Sequence, residues 1–183
     1  DQARVQGFNI EYQGAWNYGL QIQMAITGQE SVYKTEQSLW SSENPENPEN
    51  PENPENPKEV RSQRFLRTPN WYGYLQGSFQ SNNWQYAAAL NYTGEMLLAR
   101  LKNAETEEIS LINTPSFWDL QLSTEYTWKA TENYSWKFKL GVKNLFDAFQ
   151  QDLPIGSDRD ASYIYGPILP RTYYLSIKLD LVP

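Results

Sequence analysis

The sequence predicts an all-β, antiparallel up-and-down barrel segment that crosses a membrane with about seven strands. Three observations carry this reading. Apolar and polar residues alternate with a period of two in seven separate stretches. The connections between stretches alternate short and long, as expected when the two ends of a meander face different surroundings. Aromatic residues make up 15% of the 183, with 13 Tyr, 7 Trp and 7 Phe. They gather at the ends of the stretches, where a side chain that is half apolar and half wet belongs.

The first stretch carries Phe8, Ile10, Tyr12 and Trp16 on one face and Asn9, Glu11 and Gln13 on the other. The second sets Leu20, Ile22, Met24 and Ile26 against Gln21, Gln23 and Thr27. Trp71, Leu75 and Phe79 mark the third, a weaker alternation containing Gly73 and Gly77. Trp84, Tyr86, Ala88, Leu90 and Tyr92 mark the fourth, and Trp118, Leu120, Leu122, Tyr126 and Trp128 the fifth. The sixth opposes Trp136, Phe138, Leu140 and Val142 to Lys137, Lys139 and Lys143. The last opposes Tyr173, Leu175, Ile177, Leu179 and Leu181 to Thr172, Tyr174, Ser176, Lys178 and Asp180. No segment holds a 3.6-residue stripe, so helix is not the organising element.

Short connections are expected near Asn17–Gly19, Ser81–Asn83 and Lys129–Asn133, and long ones over Tyr33–Thr68, Arg100–Ser116 and Ala148–Pro170. Alternation alone fits two solutions: a soluble β-sandwich, whose apolar face meets a second sheet, or a membrane barrel, whose apolar face meets lipid. The aromatics favour the barrel. Trp16, Trp84, Trp128 and Trp136 flank short turns, while Trp71, Trp118, Phe146, Phe149 and Tyr173 lie beside long loops, which gives one belt per membrane face. Seven strands do not close a spanning barrel, and an odd number sets the two ends on opposite sides. With the short turns periplasmic, Pro183 is periplasmic and Asp1 external, and further strands are expected before Asp1.

Composition removes several functions. There are 15 Lys+Arg against 22 Asp+Glu, a net charge of −7 and a pI near 4.7, which argues against a nucleic-acid partner. With no His and no Cys, Ser-His-Asp and Cys-His catalysis, Cys/His zinc sites and disulfides are excluded within this chain. Mean hydropathy is −0.72 and apolar runs are short, so there is no transmembrane helix. No enzyme, no cofactor and no metal is expected.

Glu43–Pro57 is five Glu-Asn-Pro repeats, read as a solvated, self-repelling spacer inside an external loop. Lys137, Lys139 and Lys143 form a basic stripe on the polar, lumen-facing side, with Glu11, Asp119, Glu125 and Asp180 as available partners. Asp158 and Asp160 resemble the start of a cation loop without its remaining ligands. Glu107–Glu108 lacks catalytic company, and the triplets at Asn91 and Asn133 carry no meaning in a bacterial barrel.

Gly141-Val-Lys-Asn-Leu-Phe-Asp147 resembles the penultimate-strand signature of TonB-dependent outer-membrane receptors, G-x-x-N-L-F-D. The passage Tyr165-Gly-Pro to Pro170-Arg171-Thr-Tyr-Tyr174 is similar to that family's entry into its last strand, and Arg67-Thr-Pro-Asn-Trp-Tyr72 is supportive. The signature residues are thus Gly141, Asn144, Leu145, Phe146, Asp147, Pro170 and Arg171. One departure is the ending Leu181-Val-Pro183, where the family has an aromatic residue. The resemblance implies the last seven strands of a 22-stranded barrel filled by an N-terminal plug, in the bacterial outer membrane. It implies active import of a scarce solute: an iron chelate, haem, cobalamin or similar. Partners would be the plug and remaining strands, the TonB complex acting through the plug, and the lipid bilayer; a surface lipoprotein stays open. External-loop aromatics Trp40, Tyr163 and Tyr165 are the expected ligand or partner contacts. The rivals are a passive porin-like barrel without a plug, a barrel enzyme whose base lies elsewhere, and a soluble β-sandwich binding module.

Overall fold

A computed structural model describes residues 2–41, 59–103, 108–153, 155–156, 160 and 163–181. Its strands are β1 (Ala3–Ala15), β2 (Leu20–Ser41), β3 (Glu59–Arg64), β4 (Trp71–Ser81), β5 (Trp84–Thr93), β6 (Leu97–Asn103), β7 (Glu108–Asn113), β8 (Phe117–Lys129), β9 (Tyr134–Lys143) and β10 (Thr172–Leu181). There is no helix among the described residues. The main sheet runs β1-β2-β4-β5-β8-β9-β10 and is antiparallel throughout. Those are the seven expected strands, in sequence order.

Register makes the two faces explicit. Tyr12, Met24, Leu75, Leu90 and Leu120 form one cross-strand row, and the adjacent row is Gln13, Gln23, Gln76, Ala89 and Gln121. A one-residue slip would exchange these rows, so the side-chain pattern pins the register. The apolar face is the exposed one: Ile10 is 53% exposed, Ile177 57% and Leu175 64%. A water-soluble fold buries such side chains. Here the apolar rows point outward, and the polar rows line the concave side.

Aromatics bound this outer face at both ends. Toward the long connections, Phe8 meets Trp71 edge-on at 5.6 Å, and Tyr92 meets Trp118 at 4.5 Å. Toward the short turns, Trp84 packs on Tyr126 at 4.8 Å, with Phe79, Tyr86, Trp128 and Trp136 nearby in register. From Trp118 to Trp128 along β8, ~3.3 Å per residue at a tilt of ~40° gives a band of ~25 Å.

The short turns follow local chemistry. Gly19 has φ +94°, and a Cβ there would run into the carbonyl of Gln80. Asn82 takes φ +52° in the two-residue turn between Ser81 and Trp84, a conformation Asn tolerates well.

The long connections differ from expectation. The first was expected to be loop from Tyr33, yet β2 continues to Ser41 and pairs with β3 in an arm that closes at Ser41 opposite Glu59. Glu43–Pro57 lies outside the described residues. The second contains the β6–β7 hairpin rather than loop throughout. These strands stand beyond the aromatic band, where no lipid imposes alternation, so their sequence lacks the period-two signal.

Candidate functional site

The main sheet curls around its polar face. Gln21, Gln23, Gln76, Ser78, Gln121 and Ser123 line a trough of about 370 Å³ there, together with Lys139 and Tyr174. A second hollow of about 770 Å³ continues it toward the long connections. Its walls are Asp119, Gln121, Lys139, Lys143, Asn144, Thr172 and Tyr174 from the sheet, with Pro167–Pro170 from the β9–β10 connection. Asp119 Oδ2 accepts from Gln121 Nε2 at 3.1 Å, while Oδ1 is buried without a partner among the described residues. The hollow therefore combines a free acceptor, two ammonium groups and an apolar wall.

Odd numbering on β9 sets Lys137, Lys139 and Lys143 on this same polar face. They do different things. Lys137 stands opposite Lys178, and Asp180 bridges both at 2.8 Å. Of the four acids available from sequence, Asp180 is thus a partner. Lys139 stands opposite Glu125 and lines both hollows. Lys143 Nζ lies 5.7 Å from the centre of the Tyr174 ring.

The motif residues build a clamp at the end of β9. Gly141 pairs with Tyr174, whose ring folds over it; a Cβ would come within 2.6 Å of Tyr174 Cε1. Asn144 is 5% exposed with φ +49°. Its Nδ2 donates to the carbonyls of Ala148 (3.2 Å) and Leu169 (3.0 Å), and its Oδ1 accepts from the Ala148 amide at 2.9 Å. Asp147, at φ +56°, accepts the Arg171 amide at 2.8 Å, and Arg171 Nε donates to the Leu145 carbonyl at 2.9 Å. Leu145 N donates to Leu120 O at 2.8 Å, tying the clamp to β8. Phe146 is exposed, and Pro170 lines the loop-end hollow. These residues fix where the β9–β10 connection leaves and re-enters the sheet.

The three expected contact residues separate. Trp40 lies on β2, half-buried opposite Val60 in the β2–β3 arm, and so is on a strand rather than a loop. Tyr163 and Tyr165 come together on Asp152: each hydroxyl donates to one carboxylate oxygen at 2.6 Å. Gln150 braces them, its Nε2 donating to Tyr163 O at 2.9 Å and its Oε1 accepting from Tyr165 N at 3.1 Å. The Arg100 guanidinium lies 4.6 Å over the Tyr163 ring. Tyr163 is 1% exposed, turned in among Asp152, Gln150 and Arg100 rather than toward solvent, whereas Tyr165 is half-buried. Burial pushes both hydroxyls above the ordinary tyrosine range, and Asp152 adds to it. Burial alone would raise the Asp152 carboxyl, but the two hydroxyl donors outweigh it and hold it below its usual value. Asp152, Gln150 and Arg100 were not singled out from sequence, which offers no spacing that links them.

Asp158 lies outside the described residues, and the Asp160 carbonyl accepts from Tyr163 N at 3.0 Å. Glu107 is likewise outside; Glu108 opens β7.

Residues 1–145 match the family described as TonB dependent receptor-like, beta-barrel. The chain belongs to the TonB-dependent receptor β-barrel family. That family resides in the bacterial outer membrane and consists of transporters, not enzymes. No curated protein matches the sequence. Among solved TonB-dependent receptors, the ferric-catecholate import receptor Fiu of Escherichia coli K12 superposes with a TM-score of 0.62 at 19% identity, over 98% of this chain and 21% of that one. The ferripyoverdine receptor of the Pseudomonas aeruginosa outer membrane, bound to ferripyoverdine, gives 0.63 at 16%, over 98% and 20%. The FpvAI–pyocin S2 complex gives 0.61 at 16%, over 98% and 20%. The chain spans about a fifth of the length of these receptors. The family match ends at Leu145, so Phe146, Asp147, Pro170 and Arg171 of the clamp lie beyond it.

Proposed function

We propose that this chain is the C-terminal wall of a TonB-dependent active importer of an iron chelate across the bacterial outer membrane. The observation that carries the reading is the family match over residues 1–145, on a sheet whose apolar face points outward. The short turns face the periplasm and the long connections face outside, in line with the lengths barrels use at their two ends. The remaining strands and an N-terminal plug pack against β1, β10 and the concave face, and the TonB complex acts through the plug. Iron chelates are preferred over haem or cobalamin because the solved relatives are named for ferric-catecholate and ferripyoverdine.

Loop-end residues meet the solute. Lys139 and Lys143 offer charge to an anionic chelate, and the free oxygen of Asp119 accepts from a donor on the solute or the plug. Trp40 and the exposed edge of Tyr165 are the aromatic contacts; Tyr163 acts by holding Asp152 and Tyr165 in place.

The test is uptake of radiolabelled ferric chelates by cells expressing the full-length receptor, with and without a functional TonB complex. Accumulation that collapses without the complex is expected. Uptake indifferent to it identifies a passive pore and overturns the proposal, as does a full-length product that stays monodisperse in water without detergent.

A further inference from the structure

We infer that Asp152, Tyr163 and Tyr165 form a ferric-iron site, in which one carboxylate and two phenolate oxygens take up part of the ion's coordination shell. The oxygens already converge. Tyr163 Oη donates to Asp152 Oδ2 and Tyr165 Oη to Asp152 Oδ1, each at 2.6 Å, and the two rings meet edge-on with centres 5.3 Å apart. Oxygens bound at ~2.0 Å to a small octahedral ion stand ~2.8 Å from one another, so the observed spacing is close to that of neighbouring ligands. The surroundings hold the set in place. Gln150, 4% exposed, binds the Tyr163 carbonyl and the Tyr165 amide, which fixes the backbone of both. Phe117 packs on Tyr165 at 5.9 Å and closes on Gly166, where a Cβ would come within 2.6 Å of Phe117 Cζ. Asp152 is exposed and Tyr165 half-buried, so an ion arrives from the carboxylate side and meets the buried Tyr163 last.

The chemistry selects the ion. With no His and no Cys, the donors this chain offers a metal are oxygens, which suit hard cations. Each phenol proton is held by a carboxylate oxygen, so only a highly charged cation displaces it; a bound cation inverts the local preference for the proton. A trivalent ion balances one carboxylate and two phenolates, whereas a divalent ion leaves negative charge uncompensated. The Arg100 guanidinium, 4.6 Å over the Tyr163 ring, favours the phenolate there. On binding, two O–H bonds break, the phenolate oxygens bond to iron, both protons pass to solvent, and the iron stays ferric. The carrier chelate keeps the remaining positions. Without the ion, the three side chains brace one another. The choice of iron rests on the importer reading; the oxygen set does not.

The experiment is titration of the full-length receptor in detergent micelles with ferric nitrilotriacetate, read in the visible, where phenolate on ferric iron gives a charge-transfer band that the probe alone lacks. One equivalent per receptor is expected. Tyr165→Phe and Asp152→Asn should each weaken binding by at least the ~10-fold that losing an outer-shell partner costs, and Tyr163→Phe combined with Tyr165→Phe should abolish the band. Tyr165→Phe removes one hydroxyl from a half-buried ring and decides the matter if Tyr163→Phe does not assemble. No band in the unaltered receptor overturns the site. A full band in Tyr165→Phe or in the double variant also overturns it, by placing the iron on other tyrosines. Loss of TonB-dependent uptake refutes the importer reading and leaves the band standing, while a missing band leaves that uptake untouched.

Discussion

Replacing Asn144 separates backbone geometry from hydrogen bonding at the clamp. The residue is buried at φ +49° and its side chain makes three hydrogen bonds, to Ala148 N, Ala148 O and Leu169 O. Asn144→Ala removes all three, at about 1 kcal/mol each. It also holds a Cβ-bearing residue without a local polar partner in the left-handed region, at roughly 1–2 kcal/mol. The local cost is then about 4–5 kcal/mol. Asn144→Gly loses the same bonds without the conformational strain, so it costs about 3 kcal/mol. At 1.4 kcal/mol per tenfold, the Leu145 amide, bonded to the Leu120 carbonyl at 2.8 Å, should exchange about two orders of magnitude faster in the Gly variant and about tenfold faster again in the Ala variant, while the Ala148 amide loses its acceptor in both. Exchange of the full-length receptor in detergent micelles reads both. Equal rates in the two variants would show that the left-handed backbone carries no strain there. An Ala148 amide unaffected in either would show that the side chain is not its partner.

Gly141→Ala is expected to destabilise the full-length receptor by about 1 kcal/mol in urea titrations, because its Cβ displaces the Tyr174 ring, and to be neutral or favourable once Tyr174→Ala has cleared the space. Ile177→Arg puts charge on the outward face at mid-span and should cost about 2–4 kcal/mol of barrel stability, while Gln76→Arg on the concave face should cost little; equal effects on the heat-resistant gel band would contradict the face assignment. The Asp152 carboxyl is held below its usual value, so the stabilisation it gives is present above the unfolded value and is lost as pH falls through the folded one. The Tyr165 amide should stay protected at pH 5 and lose protection only under stronger acid, with Asp152→Asn removing that acid response; loosening between pH 7 and pH 5 would assign the response to another group. Tyr165 itself is raised, so its contribution is complete below the ordinary tyrosine range and lost only as pH climbs through the higher folded value. Its phenolate absorbance at 295 nm, taken as the difference from Tyr165→Phe, should emerge after that of the exposed tyrosines.

The seven sheet strands were legible because lipid on one side and a polar interior on the other impose opposite demands on neighbouring residues. Met24 and Gln23 could not trade places. Where lipid ends, so does the signal. Leu97 and Leu98 show no period-two alternation, yet both are buried in β6, and the chain from Tyr33, expected to be loop, continues β2 to Ser41. The clamp was visible only as a resemblance. Its physical reason lies in partners far along the chain, Asp147 with Arg171 and Asn144 with Leu169, which no local pattern reveals. Asp180 was one of four acids that could serve the lysine stripe, and geometry selected it for Lys137. Nor does any local pattern show that Tyr163, an aromatic loop residue, is buried beside Arg100 and Asp152, since those partners lie elsewhere along the chain.

The spacing between the two aromatic girdles also sets a thickness. An apolar band of ~25 Å is shorter than the ~30 Å hydrocarbon core of an average bilayer. Such a wall sits without deformation only in a thin membrane; in a thicker one the lipids beside it must compress. Short-chain bilayers should therefore accept the receptor faster and hold it more firmly than long-chain ones, so that acyl-chain length governs how readily this barrel assembles.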